Sequence, residues 1–254
     1  DYDEIGINYK EDTVSLEDYV SMSKEKKEKA KDTIAVINLE GVIDGRNSKK
    51  SITYENVCDK LEILEEMKNL KGLVLRINSP GGSALVSEKI YKKLKKLTVP
   101  IYVSMGDLCA SGGYYIATTG QKLFANNLTL TGSIGVVMMY PEVEGVLKKL
   151  DVNLEGFEKG TGFDMLNPFE KLGEDSKEKI IYNMNEVYTE FKEHVMKARG
   201  MNEEELEKIA QGRVWLGSEA KNINLVDEIG SLEECIKSMA DDLKLDKYKV
   251  RIIE

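Results

Sequence analysis

The chain has 254 residues, 41% of them apolar, and a formal net charge of −9. That length buries a full core and suits one α/β domain or two small ones, and the apolar share excludes a disordered chain. The acidic balance argues against nucleic acid as a partner, because phosphate binding needs a basic face. No run approaches the roughly eighteen apolar residues of a membrane span. The sequence opens at Asp1 without a secretory leader, and is expected to be a piece of something longer.

Residues 1–32 are polar, and Lys24–Lys31 has no apolar face. Glutamates interrupt its lysines, which predicts a linker or solvated helix and not a basic patch. The texture changes at Thr33. The β-branched run Ile34–Gly41 predicts a buried strand, and Val57, Leu61, Leu64 and Met67 are spaced for one face of a helix. Gly72–Ile77 reads as a second strand, broken by the turn Asn78–Ser83. A helix to Lys96, a strand over Pro100–Met105 and a glycine-rich turn at Ala110–Tyr115 follow. Short strands are predicted in KLFAN and SIGVVMM, then a helix near Glu142–Leu150. In the last third Ile180, Ile181, Met184, Val187, Tyr188, Phe191 and Val195 trace an apolar stripe at helical spacing, predicted to face the core. Strands alternating with helices imply β-α units around a mostly buried sheet.

Cys58, Cys109 and Cys235 are too few and too scattered for a disulfide framework or a metal site, and are expected to be packed thiols. Chemistry concentrates instead in two glycine turns, NSPGGS and ASGGYY, each following its own strand. A strand–turn–helix with serine at its apex exposes a hydroxyl beside the unpaired amides of a helix start, which an oxyanion needs. Ser111 followed by Gly112 fits, and Gly82 in the first turn can supply a second amide. Alternatively these are tight turns with serine as an ordinary N-cap. A nucleophilic serine needs a base. His194, the single histidine, sits in the long helix as a surface or packing residue, so a Ser-His-Asp triad is not expected. A lysine base must be desolvated, whereas the lysines here lie in charged runs such as Lys92–Lys96. From spacing alone the nucleophile is present and the base is missing.

The segments INSPGGS, SMGDLCASGGYYIA, NNLTLTGSIGVV and AQGRVWLGSEAKNINLVDEIGS together resemble the signal peptide peptidase A family, Ser/Lys proteases of the ClpP/crotonase-like superfamily. The resemblance runs from about Ile34 to about Leu243, and the block Gly212–Gly230 separates this family from ClpP and from enoyl-CoA hydratases. It implies an α/β fold of stacked β-β-α units wound as a superhelix, a single domain over residues 33–254 behind a polar extension over residues 1–32. It makes Ser111 the nucleophile, Gly112 and Gly82 the oxyanion amides, and Ser133 the residue that orients the lysine. No cofactor and no metal are implied. Short members carry the lysine in a G-x-x-K segment with Pro five residues beyond it; here Gly160–Pro168 corresponds, and Phe163 stands where the lysine would be. Long members are tandems with the serine in the C-terminal half and the lysine in the N-terminal half. The chain therefore resembles a C-terminal half. The resemblance further implies a homotetramer anchored to the cell membrane by a segment outside this chain, on the extracytoplasmic face, degrading cleaved signal peptides. Three alternatives stay open: Lys159 as a base within the chain, a non-catalytic peptide-binding or scaffolding member, and an acyl-CoA enzyme, for which only Asp107 offers a carboxylate near the turns.

Overall fold

The computed structural model describes residues 30–45, 51–156, 159 and 167–253. The first long strand, β1 (Asp32–Glu40), precedes two short parallel strands, β2 (Val42–Ile43) and β3 (Ser51–Ile52). Helix α1 (Tyr54–Glu65) is capped by Thr53, whose hydroxyl accepts from the Asn56 N–H at 3.1 Å, and it buries Val57, Leu61 and Leu64 as their spacing predicts. Then come β4 (Leu70–Ser79), α2 (Ala84–Leu94), β5 (Ile101–Ala110), α3 (Gly112–Ala117), β6 (Lys122–Ala125) and β7 (Leu130–Gly132). Helices α4 (Glu144–Lys149), α5 (Glu174–Arg199) and α6 (Glu203–Ile209) lead to β8 (Val214–Leu216) and α7 (Gly217–Asn222). The chain closes with β9 (Glu228–Ile229), α8 (Leu232–Asp242) and β10 (Tyr248–Ile253).

The main sheet runs β10-β1-β4-β5-β6-β9, all neighbours parallel; β7 also pairs parallel with β5, and β8 pairs antiparallel with β7. Parallel strands joined by helical crossovers are covered on both faces, which is why their sequences are near-continuous apolar runs. On one face Ile34, Val36, Val74, Tyr102 and Phe124 pack under Cys235, Ile236 and Met239 of α8. On the other, Ala35, Ile37, Leu73, Leu75 and Val103 join Leu61, Ile90, Tyr114 and Phe191 in the larger core.

Two predicted elements differ. SIGVVMM is not a strand: only Leu130–Gly132, just before it, finds partners on β5 and β8, and the run beyond leaves Val137 and Met139 92% and 93% exposed. An apolar run without a sheet neighbour looks in sequence like one that has a neighbour. The stripe along α5 is buried only at Phe191 and Val195; Ile181, nearly three turns before Phe191, is 57% exposed, because only the later part of the stripe packs on the core.

Candidate active site

Strand β5 continues past the predicted Met105 to Ala110 and ends on Ser111, which holds φ +52 and ψ −122. That backbone is unfavourable for a side-chain-bearing residue by about 1–3 kcal/mol, and it persists where the surroundings fix it. They do so here. The Ser111 N–H donates to Gly132 O at 2.9 Å, and the Tyr115 N–H donates to Ser111 O at 2.8 Å. Ser111 occupies the N-cap position of α3, yet its side chain makes no capping hydrogen bond, unlike Ser83 and Ser231 at the starts of α2 and α8. An ordinary N-cap serine would use its hydroxyl on the helix; this one leaves it free to face the cleft.

The two glycine turns touch. A Cβ built on Gly81 would lie 2.6 Å from the Gly112 nitrogen and 2.8 Å from Ser111 Cβ, so only glycine allows the turns to meet. At Gly82 (φ +149) a Cβ would lie 2.0 Å from Ile43 O. Ile43 bridges to Gly82 through flanking groups, its own N–H donating to Gly81 O at 2.9 Å and Ser83 N–H donating to Ile43 O at 2.8 Å. That pattern turns the Gly82 N–H away from Ile43. Gly112 is the first residue of α3, where the amide has no intrahelical acceptor. Two backbone donors thus flank the Ser111 turn.

Ser133 arrives by register. Strand β7 pairs Ala110 with Gly132, so the next residues, Ser111 and Ser133, leave the sheet side by side. Ser133 also has positive φ (+51), and its N–H donates to Arg213 O at 2.7 Å. The Gly212 N–H donates to Ile134 O at 2.9 Å, which ties the segment after α6 to the segment after β7. Ser111, Gly112 and Ser133 thus come together, with the Gly81–Gly82 turn against the first two.

A cleft of about 310 Å³ opens there, with Ser111 and Ser133 on one wall. Gly135, Val136 and Val137 continue that wall; Met184, Asn185 and Tyr188 of α5 face it, and Gln211 and Gly212 close one side. The residues from α5 and from the segment after α6 escape a reading of the sequence, because the chain brings them in from more than seventy residues downstream of Ser111. Gln211–Gly212 lies within the AQGRVW block quoted above; the α5 residues carried a helical-stripe signal that pointed to the core.

No lysine lines this cleft among the described residues. Lys192 comes near it through Tyr188, its ammonium 4.8 Å from that ring, but ion pairs with Glu203 at 2.8 Å and Glu207 at 3.2 Å hold its pKa above the ordinary lysine value. An ammonium so held accepts no proton. Lys159 is exposed, and Phe163 lies outside the described residues. His194 does not line the cleft: its ring stacks on Tyr91 at 4.0 Å and its Nε2 lies 3.2 Å from Glu88. Cys109 is fully buried in β5, and burial raises its thiol pKa far above the ordinary value, which leaves it unreactive. Asp107 is exposed on β5 with no partner carboxylate at the glycine turns among the described residues lining the cleft.

Glu88, Glu190 and His194 bring three ligand-type atoms within 4.8 Å of one another. The Lys92 ammonium is already there, 2.5 Å from Glu88 and 3.9 Å from Glu190. Among the described residues no helix is long and apolar enough to cross a membrane.

The chain is similar to several known proteins. The family model of Peptidase family S49 matches residues 93–246, and that of Clp protease matches residues 25–130. Protease 4 of Haemophilus influenzae is 35% identical over 237 residues, covering 91% of this chain and 38% of that protein. A putative signal peptide peptidase SppA of Enterococcus faecium is 36% identical over 201 residues, covering 78% of this chain and 58% of that protein. The chain thus spans between about two fifths and three fifths of the length of these two relatives. Among solved structures, a ClpP1 mutant from Listeria monocytogenes superposes with a TM-score of 0.55 at 17% identity, covering 86% of this chain and 99% of that one. The 1510-N membrane-bound stomatin-specific protease, as a mutant, gives 0.56 at 14%, covering 89% of this chain and 99% of that one. The fold is ClpP-like.

Proposed function

This chain belongs to peptidase family S49, and we propose that it carries the nucleophile of a serine endopeptidase whose general base lies outside the described residues. Ser111 attacks the scissile carbonyl. The Gly112 and Gly82 amides receive the oxyanion, where one such hydrogen bond contributes about 3 kcal/mol to the transition state. Ser133 orients a lysine that enters from the open side of the cleft and accepts the Ser111 proton. The observation that carries this reading is the Ser111 turn itself: positive φ, a hydroxyl withheld from capping, and contact with a second glycine turn beside the cleft.

The base is assigned to a lysine-bearing half of a longer polypeptide. Support comes from the lack of a lysine among the described cleft residues, from Phe163 in the family's lysine position, and from the greater length of the relatives. Residues 33–254 then form the peptidase domain, and residues 1–32 a linker from the other half. The substrates are cleaved signal peptides presenting small or apolar side chains to Val136, Val137 and Met184. The name of the Enterococcus faecium relative supports that substrate class. Assembly as a homotetramer at the extracytoplasmic face of the membrane completes the proposal, the anchor being supplied outside this chain. Exposed apolar residues on the α4 and α5 side, including Val146, Leu150 and Ile181, support a covering partner there.

The test is turnover of an apolar reporter peptide by the full-length gene product with and without Ser111→Ala. The expected result is a loss of at least about a thousandfold in kcat with unchanged thermal unfolding. Retained activity in Ser111→Ala rejects the nucleophile. A full-length protein that binds the peptide and never turns it over favours a non-catalytic peptide-binding member, the reading that a cleft without a base also permits.

A further inference from the structure

Helix α2 starts at the Gly82 turn and α3 starts at Ser111, so the spacing of the two amides is set by how α2 packs on α3. Besides the direct contact of the two turns, two contacts join the helices there. Gly112 lies against Ser87 of α2, where a Cβ on Gly112 would come 2.5 Å from Ser87 Oγ. The next residue of α2 and the residue one turn beyond Gly112 on α3 also meet, the Tyr115 hydroxyl donating to Glu88 Oε2.

Glu88 is an unusual residue for this place. It is 8% exposed, set among the rings of Tyr91, Tyr115 and His194 and facing the charges of Lys92 and Glu190. Burying a carboxylate is costly unless it is paired and hydrogen-bonded. Its burial pushes the pKa up, but Lys92, the Tyr115 hydroxyl and His194 together outweigh this and hold it below the ordinary carboxylate value. The carboxylate therefore stays ionised, and an ionised acceptor makes the stronger bond to a phenol. The Tyr115 ring is boxed in: Phe191 lies 4.9 Å away, His194 meets it edge-on at 5.0 Å and Tyr91 edge-on at 5.7 Å. With rings packed on it from three residues, Tyr115 carries this hydrogen bond from α3 across to α2. Tyr115 is also the residue whose N–H closes on Ser111 O.

We propose that Glu88 and Tyr115 are positioning residues that hold α2 and α3 at the separation needed for the Gly82 and Gly112 amides to serve one oxyanion. This rests on the reading of Ser111 as nucleophile. Neither residue touches substrate, and both act through the Ser111–Gly112 turn. A displacement of the turn by a fraction of an ångström degrades both the attack geometry and the amide that receives the charge.

The experiment uses the full-length gene product and compares Tyr115→Phe, Glu88→Gln, Glu88→Leu and the Tyr115→Phe/Glu88→Leu double variant. Peptide turnover is measured beside the rate and final extent of Ser111 modification by a fluorophosphonate. Tyr115→Phe keeps the ring and loses the donor; Glu88→Gln keeps an acceptor oxygen at nearly the same volume. The expected result is a fall in kcat of about tenfold or more for Tyr115→Phe and Glu88→Leu, with KM changed less than about twofold. Glu88→Gln recovers most of that loss, and the double variant is no worse than the more severe single one. Phosphonylation slows in parallel while its final stoichiometry stays complete. A purely structural role gives the opposite pattern, reduced stoichiometry with an unchanged rate for the folded fraction, and overturns the proposal. So does unchanged kcat in Tyr115→Phe, or additive losses in the double variant. If Ser111→Ala is still phosphonylated and active, it is the nucleophile assignment that fails, before the α2–α3 strut comes into question.

Discussion

The segment around Ser111 and the segment that faces it across the cleft are built in opposite ways. Every residue of α3, Gly112–Ala117, is buried, and Ser111 is held from both sides by backbone hydrogen bonds and a glycine turn. Facing Ser111 across the cleft, α5 buries its apolar stripe only at Phe191 and Val195, while α4 has no buried residue and Val137 and Met139, which follow Ser133, are almost wholly exposed. Rigid packing is concentrated around Ser111, where the proposed nucleophile must not move. Apolar surface is left open where the proposed peptide, or the proposed second half, would arrive.

Substituting glycines and core residues can break this contrast. The largest effect is expected for Gly82→Ala: its new Cβ meets Ile43 O at 2.0 Å in a backbone of φ +149, so the turn must shift. Turnover by the full-length protein should fall at least about a hundredfold, since one oxyanion donor is displaced. Phe191→Ala, on the buried part of α5, should cost about 3–4 kcal/mol in denaturant unfolding. Ile181→Ala on the same helix should cost less than about 0.5 kcal/mol in the isolated chain. Equal costs would show that the outer part of α5 is core after all.

A smaller effect is expected from acid. Glu88 has a folded pKa below its ordinary value of 4.5, so its contribution to stability is complete above that value and is lost as pH falls through the folded one. Urea unfolding of Glu88→Gln should show a shallower decline below about pH 4.5 than the parent protein, and an identical decline removes Glu88 from the acid linkage. The smallest effect is expected at Gly145, in exposed α4, where a Cβ meets nothing within 4 Å. Gly145→Ala should be neutral or stabilise by up to about 1 kcal/mol, because alanine loses less backbone entropy in a helix.

The sheet was legible because buried parallel strands write themselves as β-branched runs, as in Ile34–Gly41 and Gly72–Ile77. Ser111, Gly112 and Gly82 stood out as candidates because each stands at a turn with a recognisable glycine pattern, whereas Ser133 was singled out only through the family resemblance. SIGVVMM and the α5 stripe misled for one shared reason: apolar periodicity reports which residues avoid water, not whether a core, a cleft or a partner covers them. Tyr188, Gln211 and the Glu88–Tyr115 bond were illegible because they join segments far apart in the chain. Glu88 in particular reads as one more charge in a lysine-rich helix, and only its burial beside Tyr115 sets it apart.

The most direct test is peptidase turnover by the purified 254-residue chain beside the full-length gene product, on the same apolar reporter peptide and at matched concentration. A nucleophile folded here and a base supplied from elsewhere require an inert chain and an active full-length protein. Turnover by the chain alone, abolished by Ser111→Ala, would place a working base within these residues and contradict the split site.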